Sequence, residues 1–295
     1  MAVNPCESEP LEVPSDGSVA GIGVLLSFMI TAFIAVIVSS SLIVQEQFFK
    51  NARPSLMRRR LLNSYSDQQI MTGIAVQVVG LLKMDSMVPY HFFIVWMLSM
   101  LSMAVHNMTL LALVQDFRRD WVLRWLRQFL MFVNMALSCT FGVIVLRVVD
   151  MGLTRSGLPV SCALGGTLPP GAKQNDVAIS FIGTIAVIVA NVVIFGFATW
   201  YLQSRRQRFY RIIQLVGQAL MIASAVGVCA RVITLASAFG GRPNIVLHDD
   251  AEGQWMFGSF VSLGLLLLPL IFLVEIYRGE VKVAPPLQDA VKLRG

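Results

Sequence analysis

The chain predicts an all-α polytopic membrane protein, a bundle of seven transmembrane helices with its N-terminus outside or lumenal and its C-terminus cytosolic. Of its 295 residues, 56% are apolar and only 14% are charged, where a soluble domain carries about a quarter charged residues. The apolar residues also come in blocks, and seven blocks approach the roughly 20 residues needed to cross the hydrocarbon core of a bilayer. Backbone N–H and C=O groups find no water there, so each block is expected to be helical. Finally, 17 of the 23 Lys and Arg residues fall on alternate connections and the C-terminal tail, the asymmetry that keeps cationic loops in the cytosol.

Three segments follow: an acidic non-cytosolic tail, 1–17; the transmembrane domain, 18–277; and a short basic cytosolic tail, 278–295. The tail holds Glu7, Glu9, Glu12 and Asp16 and no base. It lacks the positive start of a cleavable signal, so the first span, 18–44, is expected to serve as the insertion signal. The second, 68–84, is the shortest, its apolar part running from Ile70 to Met84. Ser66 with Gln69 three residues on reads as a capping box at its entry, with Asp67 in the first turn at the positive end of the helix dipole.

The third span, 90–115, contains "YHFFIVWMLSMLSMAVHNMTLLAL", and with it His91, His106 and Asn107. Ser99, Ser102, His106 and Thr109 recur at steps of three and four, which places them on one helix face. The fourth, 127–149, has a similar ridge of Asn134, Ser138 and Gly142, and Arg147 near its end is expected to snorkel to the interface. Ser180, Thr184 and Asn191 line the fifth, 177–202. The sixth, 212–238, carries Gly217, Ser224 and Arg231. Arg231 is expected to pair inside the bundle, with Asp150, Asp85 or the "HDDAE" stretch of 248–252 as counter-charge. In the seventh, 256–277, Pro269 predicts a kink and Glu275 closes the cytosolic end. The small polar residues have an ordinary explanation in interhelical hydrogen bonding and close packing. Acids and histidines within spans are better candidates for function.

The same placement of charge excludes several classes. A net charge of +6 would suit nucleic acid, but the cations sit where they face anionic lipid, so lipid is the expected partner and nucleic acid is not. His91 and His106 are 15 residues apart, about 22 Å along a helix, too far to share a metal ion. With three histidines in all, neither haem nor a di-iron cluster can be built, and no metal or cofactor is expected. The seventh span has no lysine for a retinal Schiff base. "QDFRRDW" after the third span is not the usual acidic-Arg-Tyr element of a G-protein-coupled receptor, and no Asn-Pro-x-x-Tyr follows. Cys139 and Cys229 read as packing residues. Cys6 and Cys162 share the outer side, where a disulfide can persist, and their spacing leaves that bridge open.

"VAGIGVLLSF" (19–28), "YSDQQIMTGIAVQVVG" (65–80), the third span and "WMFGSFVSLGLLLLPLIFLVEIY" (255–277) together resemble a large group of filamentous-fungal integral membrane proteins. The positions matching that group are Asp67, Gln68, Gly73, Tyr90, His91, His106, Trp255, Gly258, Pro269 and Glu275. By analogy of architecture it is similar to the membrane-bound terpene cyclases of fungal secondary metabolism. That similarity implies an isomerase or lyase of the endoplasmic reticulum or plasma membrane, cyclising a lipophilic prenylated small molecule. A carboxylic acid, Asp67 or Glu275, would protonate an alkene or epoxide, with His106 and His91 as its partners. Tyr90, Trp96 and Arg231 would contact substrate, aromatic faces steadying a carbocation. The alternative expectations are a seven-helix receptor or sensor without catalysis, binding ligand at the outer loops and Arg231, or a transporter or helper of a pathway.

Overall fold

A computed structural model describes residues 6, 10, 12–48, 55–114, 121–153, 156–165, 177–203, 210–241 and 245–278. These form helices α1 (Ile22–Phe48), α2 (Leu56–Leu82), α3 (Pro89–Ala112), α4 (Trp121–Asp150), α5 (Ser161–Gly165), α6 (Val177–Gln203), α7 (Tyr210–Leu235), α8 (Phe257–Leu265) and α9 (Leu268–Tyr277), with a 3₁₀ turn at Ser237–Phe239. The cationic connections 49–54, 115–120 and 204–209, most of the loop 166–176 and the tail from 279 lie outside the described residues.

Among the described residues, six stretches are long and apolar enough to cross a membrane: Ile22–Phe48, Pro89–Ala112, Arg124–Asp150, Ile182–Trp200, Arg211–Leu235 and Phe257–Glu275. The chain is thus a helical, multi-pass membrane protein. α2 falls outside that set because Arg58, Arg59, Arg60, Asn63, Asp67, Gln68 and Gln69 crowd its first half. Even so, its 27 residues make a rod of about 40 Å. Arg58, at its start, bonds Ser41 and Gln45 near the end of α1. Lys83, just past its end, pairs with Asp16 ahead of α1. α2 therefore runs antiparallel beside α1 over the whole length of the bundle.

Its start also corrects the expected capping box. The helix opens at Leu56, with Ser55 accepting the N–H of Arg58, and Ser66 and Gln69 lie buried in mid-helix. Hydropathy registers transfer into lipid, whereas Leu, Met and Arg are good helix formers in water or lipid alike. The arginine-rich turn is simply the wet end of the same helix.

α3 is the central element. Nearly every side chain from Pro89 to Ala112 is buried, as a helix apolar on all faces requires, and α1, α2, α4, α6 and α7 all pack on it. Pro89 occupies its first turn, where a missing N–H costs nothing. Elsewhere, small residues bring backbones together. A Cβ on Gly23 of α1 would lie 2.3 Å from Cα of Ser259 on α8, so the two helices touch backbone to backbone.

The expected kink in the last span is a clean break. α8 stops at Leu265 and α9 begins at Leu268, with Pro269 in its first turn. The hydroxyl of buried Tyr65 on α2 donates to the carbonyl of Leu266 at 3.2 Å, satisfying an acceptor that the break releases.

One end of the bundle is covered. Val13 forms an isolated parallel bridge with Leu247, its N–H donating to Val246 and its carbonyl accepting from His248 at 3.0 and 2.9 Å. The N–H groups of Val160 and Ser161 donate to the carbonyls of Met87 and Met84. Cys6 and Cys162 are joined in a disulfide, tying the N-terminal tail to the segment of α5.

Candidate functional site

Among the described residues, three of the polar gatherings separate the residues expected to act together. At the covered end, Tyr90 and His91 open α3. Nε2 of His91 lies 2.6 Å from Oε1 of Glu252, and both side chains are almost wholly buried. The hydroxyl of Tyr90 donates to Oε2 of Glu252 at 3.0 Å and accepts the backbone N–H of Ser237 at 2.9 Å. The Ser237 hydroxyl also bonds Oε2, and the Glu252 carbonyl accepts the first N–H of α1, that of Ile22, at 3.0 Å. α3, the 3₁₀ turn and the start of α1 thus all meet at Glu252, whose carboxylate takes three side-chain bonds.

Glu252 was foreseen only as a counter-charge for Arg231. The structure corrects this: Glu252 is taken by His91 and Tyr90, and Arg231 is exposed on α7. A long stem lets an arginine near a helix end reach water without an internal partner. Arg147 is likewise exposed, on α4.

The second gathering is a seam along α2, α3 and α4. Oγ of Ser102 lies 2.9 Å from the carbonyl of Gln69 and 3.0 Å from Nε2 of His106, and accepts from Nδ2 of Asn134 at 3.3 Å. Asn134 in turn accepts from Nε2 of Gln77 at 2.6 Å, and Ser99 bonds Ser138 at 2.9 Å. The packing here is tight: a Cβ on Gly73 would fall 2.4 Å from Oγ of Ser102. His106 thus bonds within α3, to Ser102 one helix turn away, and joins the seam only through that hydroxyl, remote from the knot around His91. Trp96, buried on α3, points its indole Nε1 toward the α4 backbone at Gly142.

The third gathering brings the two nominated acids together. Asp67 on α2 and Glu275 on α9 line one cavity of about 630 Å³ with Ser64, Gln68, Met71, Thr72, Leu265, Leu268, Pro269, Ile271 and Phe272. That is within the ~300–1,000 Å³ range of small-molecule sites. Arg127 of α4 pairs with Asp67, while Glu275 is exposed and makes no ion pair with a described residue. Met71, Leu268, Ile271 and Phe272 are exposed apolar walls, so the cavity is a groove on the side of the bundle, polar at its carboxylate end. It exists because α9, restarted by the break, lies against the early turns of α2.

The chain matches no family model, no curated protein and no solved structure. Function therefore rests on the geometry.

Of the seven nominated residues, Asp67 and Glu275 share the groove, and Tyr90 and His91 share the knot. His106 belongs to the seam, Trp96 is buried against α4, and Arg231 stands apart on α7. Arg127 and Tyr65, which finish or frame the groove, were not nominated from the sequence, and Gln68 was singled out only through the resemblance. The signal for Arg127 was present: it is the cation that opens the fourth span on the same side as Asp67. Nothing comparable flagged Tyr65, whose partner is a backbone carbonyl created by a distant proline.

The electrostatics outside the membrane are simpler. Burial alone would raise the Asp16 carboxyl, but hydrogen bonds from Lys83 and Ser18 and the Lys83 charge hold it below the usual carboxylate range. Nζ of Lys83 is 2.7 Å from Oδ2 of Asp16.

Proposed function

We propose that the chain is a receptor- or sensor-like protein of the fungal type it resembles, crossing the membrane seven times and holding a lipophilic small molecule in the groove between α2 and α9. The seventh crossing is α2, which runs the length of the bundle beside α1. The disulfide-tied cover then lies outside or in the lumen, and the groove's carboxylates lie at the cytosolic edge, in keeping with the cationic connections on that side. The observation that carries the reading is the convergence of Asp67 and Glu275 on one cavity whose walls are exposed and apolar. A ligand dissolved in the bilayer enters such a groove sideways.

The groove favours binding over cyclisation. Protonating an alkene calls for an enclosed acid and a pocket that keeps water from the carbocation. Here Asp67 is engaged by Arg127 with 43% of its side chain exposed, and Glu275 is exposed. Two measurements test the proposal. Protein in nanodiscs is irradiated with a diazirine-bearing long-chain alcohol, and the labelled peptides are mapped. Label concentrates on α2 and α9 and is lost from them in Met71→Trp, which fills the groove. Label spread evenly over all lipid-facing helices overturns the reading. Microsomes given a linear prenylated quinol or its epoxide leave it unchanged, and turnover there restores the cyclase.

A further inference from the structure

The lining of the groove goes further and specifies a head group. Its polar lining is mostly acceptors, with the Ser64 hydroxyl and the Gln68 amide N–H groups as its donors. Asp67 and Glu275 are carboxylates, and Oε1 of Gln68 is buried with no hydrogen-bond partner. The hydroxyl of Thr72 spends its proton on the Gln68 backbone carbonyl at 3.0 Å, leaving its lone pairs as further acceptors. Arg127 offsets the charge of Asp67, so one negative charge, that of Glu275, is left over. No Lys or Arg is among the lining residues, and Arg278, the next cation beyond α9, is exposed and outside the cavity.

We propose that the groove selects a single-chain amphiphile with one positive, donor-rich head, a long-chain amine, seated with its ammonium between Glu275 and Gln68 and its chain along Met71, Leu268, Ile271 and Phe272. An ammonium offers three donors and no acceptor, which complements this lining. A phosphate or carboxylate head of the same chain length brings like charge against Glu275 and is rejected. An alcohol brings one donor and no charge. This inference rests on the groove being a ligand site, and the test separates the two.

Full-length protein in nanodiscs of zwitterionic lipid is labelled with diazirine-bearing hexadecylamine, in competition with hexadecylamine, hexadecanol or hexadecyl phosphate. The amine displaces label from α2 and α9 at a concentration about tenfold below that of the alcohol, a difference of about 1.4 kcal/mol, and the phosphate does not compete. In Glu275→Gln the ratio of amine to alcohol collapses toward one. Hexadecanol or hexadecyl phosphate competing as well as the amine in the unaltered protein overturns the head-group inference and leaves the groove intact. Likewise, Glu275→Gln keeping the tenfold ratio overturns it. Absence of label on α2 and α9 from the amine and the alcohol probes alike overturns the groove, and this inference with it.

Discussion

Glu252 and Glu275 flank the same broken helix, one before α8 and the other at the end of α9, and they are treated in opposite ways. Glu252 is fully buried and held by His91, Tyr90 and Ser237, while its carbonyl holds the start of α1. Glu275 is exposed, has no ionic partner among the described residues and lines a cavity. A buried carboxylate already taken by three side chains has little left to offer a ligand, however much its histidine partner suggests chemistry. One left half-satisfied at the mouth of an apolar groove has. On the proposed reading, the covered end is architecture and the other end is where recognition takes place.

The sharpest way to break it is at the knot. Removing one partner of a buried, hydrogen-bonded pair typically costs about 3–5 kcal/mol, so His91→Ala and Glu252→Ala are expected to lower the thermal unfolding midpoint in detergent severely. Either variant unfolding like the unaltered protein while losing ligand labelling would turn the assignment around. Next comes Tyr65→Phe, which strips the Leu266 carbonyl of its donor at the break. A buried acceptor left unsatisfied costs about 1–3 kcal/mol. The same unfolding assay measures the loss, and label on α9 should shift because the groove wall moves.

A smaller effect is tied to pH. The Asp16 carboxyl is depressed in the folded protein, so its contribution is complete above its unfolded value of 3.8 and fades as pH falls through the lower folded value. Both partners are partly exposed, which keeps the contribution below about 1 kcal/mol. Unfolding midpoints at pH 6 and pH 3 should therefore differ slightly more in the unaltered protein than in Asp16→Asn. Smallest of all, Glu275→Gln should leave stability within about 0.5 kcal/mol, because an exposed carboxylate without a partner holds nothing together. A large loss there would make Glu275 structural and undo the contrast with Glu252.

How much of this was readable beforehand follows the range of each interaction. Six of the seven expected spans were legible because transfer into lipid is a local property of 20 or so residues, and Pro269 announced its break. The entry of α2 was misplaced by a turn signal at Ser66, since hydropathy is blind to a helix that continues into water. Asp67 and Glu275 could be nominated as membrane-edge acids, but their convergence depends on α9 restarting at Leu268 and leaning on α2. The knot was the least legible. Tyr90 and His91 stood out, yet Glu252 was one acid among several in a short loop, and only folding selects it over Asp249 or Asp250. Arg231 failed for the opposite reason, because a cation in an apolar run looks trapped until the surface beside it is known.

The break between α8 and α9 divides the support of the groove. With Gly23 admitting Ser259 against its backbone, α8 is clamped to α1, while α9 beyond residues 266–267 hangs from a two-residue hinge steadied by Tyr65. On the proposed reading, a molecule wedged between α2 and α9 would push on α9 alone, and its occupancy would be felt at the last described turn, around Glu275 and Arg278.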